Sequence, residues 1–91
     1  MNVSLLKIRR TMDPTAVFTV SGRLRTENVS ELCQLIDAEP IGVVVVVDLT
    51  NLMLADRGAV RYLREYEATG RIVLRSCPVY VRAWMTTEEK E

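Results

Sequence analysis

A chain of 91 residues is long enough for one domain and too short for two, and a domain of this size buries on the order of 60–65% of the surface its unfolded form exposes. Twelve basic residues balance twelve acidic ones, so no global field draws nucleic acid or an anionic membrane, and electrostatic recognition has to come from a local patch. Histidine is absent, which removes Ser-His and Cys-His nucleophile pairs and every histidine-bearing metal site, and the four scattered glycines match no phosphate-cradling loop. These exclusions lead to the expectation of a non-enzymatic protein with no cofactor, no metal, and neither nucleic acid nor membrane as a partner. The opening residues alternate apolar and charged side chains without a long apolar core, so a cytoplasmic location is expected, with Cys33 and Cys77 as free thiols.

Residues 3–9 carry a weak strand signal, with apolar residues on both faces. Residues 10–15 contain Asp13-Pro14 and read as a turn. Residues 16–20, rich in Val, Phe and Thr, read as a second strand forming an antiparallel hairpin with the first and closed by Ser21-Gly22. Thr26 is the expected cap of a first helix, in which Val29, Leu32, Cys33 and Ile36 recur at helical spacing. Glu39-Pro40 ends it, because the residue before proline is pushed out of the helical region.

The stretch 41–63 joins the most apolar run to the clearest helix. Val43 to Val47 are five consecutive β-branched residues, which suits a strand covered on both faces, and a strand entered through a helix implies parallel pairing with the one before it. Asp48 ends the run, residues 49–55 read as a loop, and Asp56 is placed to cap a helix from Arg57 to about Ala68. In that helix Ala59, Val60, Tyr62, Leu63 and Tyr66 fall on one side, while Arg57, Arg61 and Arg64 line the other and face water. A strand end meeting a helix start is where α/β sheets commonly place their sites. Gly70 suits the helix C-terminus, residues 71–75 read as a fourth strand, and Val81, Trp84 and Met85 share one side of a final helical turn or two that frays from Thr86 onward.

The expected order is thus β-β-α-β-α-β-α in a single α/β domain spanning 1–91. A hairpin reading VFTVSGRL, an amphipathic helix, a valine strand running into DLTNLMLADRGAVRYL, and then RIVLRSCP together resemble a STAS domain, over roughly residues 17–78. This is the fold of bacterial anti-sigma factor antagonists and of the cytoplasmic ends of sulfate-type anion transporters. The resemblance implies a four-stranded mixed sheet with helices mainly on one face. It also implies a partner-binding surface for a regulatory protein such as an anti-sigma factor or serine kinase. Asp48-Leu49-Thr50 matches the first part of the family signature and Asp56 the second aspartate, but Arg57 and Gly58 stand where the family has serines, the second of which is phosphorylated. Glycine has no hydroxyl, so the usual off-switch is missing, and Thr50 is at best a weak substitute acceptor.

The residues expected to meet a partner are Met53, Ala55, Asp56, Arg57, Gly58, Arg61 and Arg64. An alternative is a structural or small-anion or nucleotide-binding module that uses the helix start at Asp56 to Gly58. A hydrolase built on Asp48 and Asp56 ranks third, since nothing in the pattern brings them to one substrate. Because a valine run covered on both faces conflicts with helices on one side, a homodimer is one way to shield the second face.

Overall fold

The computed structural model describes residues 6–12 and 14–89, so residues 3–5 of the first expected strand lie outside it. The elements are β1 (Leu6–Met12), β2 (Ala16–Leu24), α1 (Val29–Asp37), β3 (Val45–Asp48), β4 (Leu52–Ala55), α2 (Arg57–Ala68), β5 (Ile72–Arg75) and α3 (Val79–Glu89). The α/β class and the alternating order stand. The sheet, however, has five strands rather than four, in the order β1-β2-β3-β5 with β4 also paired to β2. The hairpin β1-β2 is antiparallel, whereas β2-β3, β2-β4 and β3-β5 are parallel.

The extra strand comes from residues expected to be loop. After β3 the chain makes one tight turn, closed by the Leu52 amide on the Leu49 carbonyl at 3.1 Å, and then resumes pairing with β2 further along. For this β2 has to be long, so Ser21-Gly22 does not close the hairpin but lies within the strand, next to a register shift between Gly22 and Arg23. β1 likewise runs through Arg10 to Met12, shortening the expected turn. At the far end, α3 keeps helical backbone through Glu89, beyond the point where the polar tail was expected to fray.

Strand alternation divides the sheet into two unlike faces. Phe18, Val20, Val45, Val47, Ile72 and Leu74 point to one side and are buried with Val29, Leu32 and Ile36 of α1, Val60 and Leu63 of α2, and Val81 and Met85 of α3. All three helices therefore lie against one face, and the shortest dimension of 20 Å is that of two layers. The expectation that the valine strand is dry on both sides fails: Val46 is half-buried, and Val44 and Val73 are 44% and 52% exposed. Its β-branched residues satisfy the pleat of a central strand, but only every second one meets the helices.

Two polar devices fix the layers together. Arg10 lies on the helix side of β1 and grips Glu39 with Nε and Nη2 at 2.8 and 3.1 Å. Arg71 spreads its guanidinium over the carbonyls of Ile36, Glu39, Pro40 and Val43 at 2.7–3.0 Å, so the C-terminal end of α1, which ends without a basic residue of its own, receives a cation from the start of β5. Gly70, at φ +76°, closes α2 as expected: its amide reaches the Glu67 carbonyl and that of Arg71 the Tyr66 carbonyl, the paired bonds of a Schellman turn.

Candidate functional site

The junction between β4 and α2 is built around Asp56. Its backbone is extended, at φ −87° and ψ 174°, and Oδ1 accepts the Ala59 amide at 2.9 Å, which is the cap the sequence predicts. The same carboxylate also accepts the Thr26 amide on Oδ2 at 2.9 Å and the Thr26 hydroxyl on Oδ1 at 3.0 Å. Thr26 is therefore not the cap of α1. Asn28 stands at that position without capping by its side chain, and instead ties the preceding loop through the Arg25 amide and the Arg23 carbonyl. Burial alone would raise the Asp56 carboxyl, but the amides of Thr26 and Ala59 and the Thr26 hydroxyl outweigh it and hold the group below the usual aspartate range.

Gly58 belongs to the same knot. A β-carbon there would fall on the Thr26 hydroxyl and within 3.0 Å of Thr26 Cβ and Cγ2. Thr26 is β-branched and short, so no rotation of its side chain clears the space, and only glycine lets the loop after β2 approach α2 this closely.

The other flank is held by α3. Tyr80 accepts the Ala55 amide on its hydroxyl at 3.0 Å and packs edge-on to Trp84, with ring centroids 5.6 Å apart and planes at 82°. The Arg57 guanidinium lies over the Trp84 ring, 5.7 Å from its centroid. The expectation that Trp84 covers core is met, since it packs against the main cluster. Tyr80 did not stand out in the sequence, although its i, i+4 spacing from Trp84 was the available signal.

The structure sorts the expected contact residues. Met53 is 73% exposed, and Arg57 and Arg61 are exposed as expected. Ala55 is fully buried because strand alternation turns it to the core beside Leu24, so its side chain offers a partner nothing; its neighbour Leu54, 40% exposed, takes that place. Asp56 has its oxygens committed, and Gly58 is covered by Thr26. Arg64 departs from the water-facing line: it is half-buried, and its Nε is sealed without a hydrogen-bond partner. Tyr62, expected on the packed side, is 44% exposed.

Asp48 is occupied too. Oδ1 accepts the amide and hydroxyl of Thr50 at 2.9 and 2.6 Å, and Oδ2 accepts Arg75 Nε and Nη2 at 3.1 and 2.9 Å. Chiefly through the Thr50 hydroxyl, its carboxyl is held below the ordinary value. Neither aspartate thus has the raised pKa of a neutral-pH proton donor, and the amide seat an external anion would need at α2 is filled by the chain's own carboxylate. Burial pushes the Cys77 thiol up, opposite to an activated helix-start cysteine, and does the same to Cys33. Cys33 lies by Tyr66, whose phenol is itself raised by burial and donates to Asp37 at 3.1 Å.

At the opposite end of the strands an open groove of about 560 Å³ is lined by residues that include Asp37, Val43, Glu65, Tyr66 and Arg71. Its one cationic lining group, Arg71, is spent on carbonyls, and Tyr66 is bonded to Asp37. Among the described residues no group of three or more acidic or cysteine side chains is arranged to hold a metal ion, and no helix is long and apolar enough to cross a membrane. No protein-family model matches the chain, and no curated protein shows significant similarity to it.

Proposed function

We propose that this chain is a STAS-like, non-enzymatic interaction domain that binds a regulatory protein of the anti-sigma factor or serine kinase class. The docking surface in this reading is the exposed side of β4 with the first two turns of α2: Met53, Leu54, Arg57 and Arg61. The observation that carries it is Met53, 73% exposed on a strand whose neighbours are pinned on both flanks. A large flexible apolar side chain held out beside two exposed guanidinium groups suits a partner patch that is apolar at the centre and acidic at the rim. The pins matter because a surface already ordered loses little entropy when a partner arrives.

Regulation in this reading differs from the family pattern. At Gly58 there is no hydroxyl, and the space one would occupy is filled by Thr26, so binding is not switched at that position. The Thr50 hydroxyl is bonded to Asp48 and is a poor replacement.

The test is calorimetric titration of the purified chain against purified anti-sigma factor kinases, comparing wild type with Met53→Ser/Arg57→Glu/Arg61→Glu. Affinity should fall by at least about tenfold, since an apolar anchor and two charges are removed or reversed together. Equal affinity of the two proteins for a kinase that binds would overturn the surface assignment, and no binding by any such kinase would overturn the partner class.

A further inference from the structure

The groove at the end of the strands away from β4 lies where α1 and α2 both finish, and its chemistry runs against the rule for helix ends. A helix C-terminus carries partial negative charge and favours cations, yet α1 ends on Asp37, the last turn of α2 holds Glu65 and Glu67, and neither last turn has a basic residue. Glu67 is paired with Arg82 at 2.7 Å, whereas Asp37 and Glu65 line the groove. The two charges reach one place: burial raises the Cys33 thiol, and both carboxylates raise it further. Arg71 is the one cation in the lining, and its Nη1 and Nη2 are turned to the carbonyls of Ile36, Glu39, Pro40 and Val43. Two carboxylates and two helix ends against one guanidinium leave the groove electronegative.

The rest of the lining is largely apolar and already ordered. Val44 is 44% exposed, Val43 and the Tyr66 ring are half-buried, and the open volume of about 560 Å³ is that of a small-molecule site. The Tyr66 hydroxyl lies 3.1 Å from each oxygen of Asp37, and its single proton orients the carboxylate while leaving both oxygens able to accept more. Arg71 ties down the chain from Ile36 to Val43, so an occupant orders little on arrival. Charge and ligand number then select the occupant. Phosphates and carboxylates are repelled. A bare divalent ion needs about six oxygen ligands, and among the described residues no three acidic or cysteine side chains converge. A cation with an apolar body suits both parts of the lining.

We infer that this groove binds an aliphatic amine: an ammonium or guanidinium group meets Asp37 and Glu65 at the ends of α1 and α2, and its alkyl chain lies against Val43, Val44 and the Tyr66 ring. The ligand supplies the positive charge that both helix ends lack. Binding is weak and salt-sensitive, because Asp37 and Glu65 are both exposed.

Agmatine, a guanidinium and an ammonium joined by a short alkyl chain, is the probe. Titrated into the full chain, it should give saturable amide shifts at Gly42, Val44 and Gly70. Asp37→Asn/Glu65→Gln should weaken it by about tenfold, the loss of two solvent-screened ion pairs; the change relieves both helix ends and keeps an oxygen for the Tyr66 hydroxyl. Raising sodium chloride from about 20 to about 500 mM should weaken binding to the wild type in the same direction. Butylurea, similar in shape but uncharged, and inorganic phosphate should give no saturable shift at these amides. Acetylarginine amide identifies the source of the cation: tighter binding than agmatine assigns an arginine side chain of a partner, weaker binding a free amine. No saturable shift with either cation, equal affinity of the double variant, or saturable binding of butylurea or phosphate at the same amides would overturn the inference.

Discussion

Replacing Gly58 by alanine tests the tightest contact in the candidate site. On helix propensity alone, the change in the first turn of α2 should stabilise the protein by up to about 1 kcal/mol. The local geometry predicts the opposite sign, because the new methyl meets three atoms of Thr26, two of them at 3.0 Å and the hydroxyl closer still. Moving Thr26 aside relieves the overlap but strips Asp56 of two of its three hydrogen bonds. Leaving the overlap in place costs about 1–3 kcal/mol and relieving it by loss of bonds to a carboxylate about 1.5–3 kcal/mol, so after the propensity gain a net loss of about 1–2 kcal/mol is expected. For a domain this small, that lowers Tm by roughly 5–15 °C. Thermal and urea unfolding of wild type, Gly58→Ala, Thr26→Gly and the double variant form the assay. The double variant should lose less than the sum of the two single losses, because removing the Thr26 side chain vacates the space the methyl needs. A Gly58→Ala protein as stable as wild type, or strictly additive losses, would refute the argument.

Arg71→Met should destabilise by about 3 kcal/mol in urea unfolding, since the carbonyl of Ile36 in α1 and those of Glu39, Pro40 and Val43 in the connection to β3 lose a charged donor at once; a loss under about 1 kcal/mol would mean water replaces the guanidinium freely. Tyr80→Phe should cost about 1–2 kcal/mol and speed hydrogen exchange of the Ala55 amide, whose acceptor it removes, while amides in the middle of α1 stay protected. The carboxyls of Asp48 and Asp56 sit below their ordinary values in the folded chain, so the stability they supply is complete above the unfolded aspartate value of about 3.9 and is lost as pH falls through the folded values. Tm measured from pH 7 downward should hold until about pH 4 and then drop, and Asp56→Asn should be less stable at neutral pH with a shallower acid limb. An identical acid limb in that variant would show that Asp56 does not contribute.

Much of the fold was legible because its signals are local. The stop at Glu39-Pro40, the Asp56 cap and the Gly70 terminus each depend on a few neighbouring residues, and each bounds a helix at or within a residue or two of where the sequence places it. Helical spacing likewise identified Val29, Leu32 and Ile36, and Val60 with Leu63, as buried. What was missed depends on strands meeting at a distance. Residues 52–55 carry no pattern that distinguishes strand from loop, and they become β4 only because β2 extends past the end of β3 and offers free pairing groups. The expectation of a valine strand dry on both faces failed for the same reason, since a β-branched run is the same string whether helices lie on one face or on both.

The candidate site divides along the same line. Asp56 as a cap and Arg57 and Arg61 as exposed cations follow from periodicity within one helix. That Thr26 reaches across from the loop after β2, that this reach requires glycine at 58, and that Tyr80 braces the other flank are contacts between residues 25 to 32 positions apart. No local rule couples residues so far apart; only the packing of three helices on one side of the sheet brings them together.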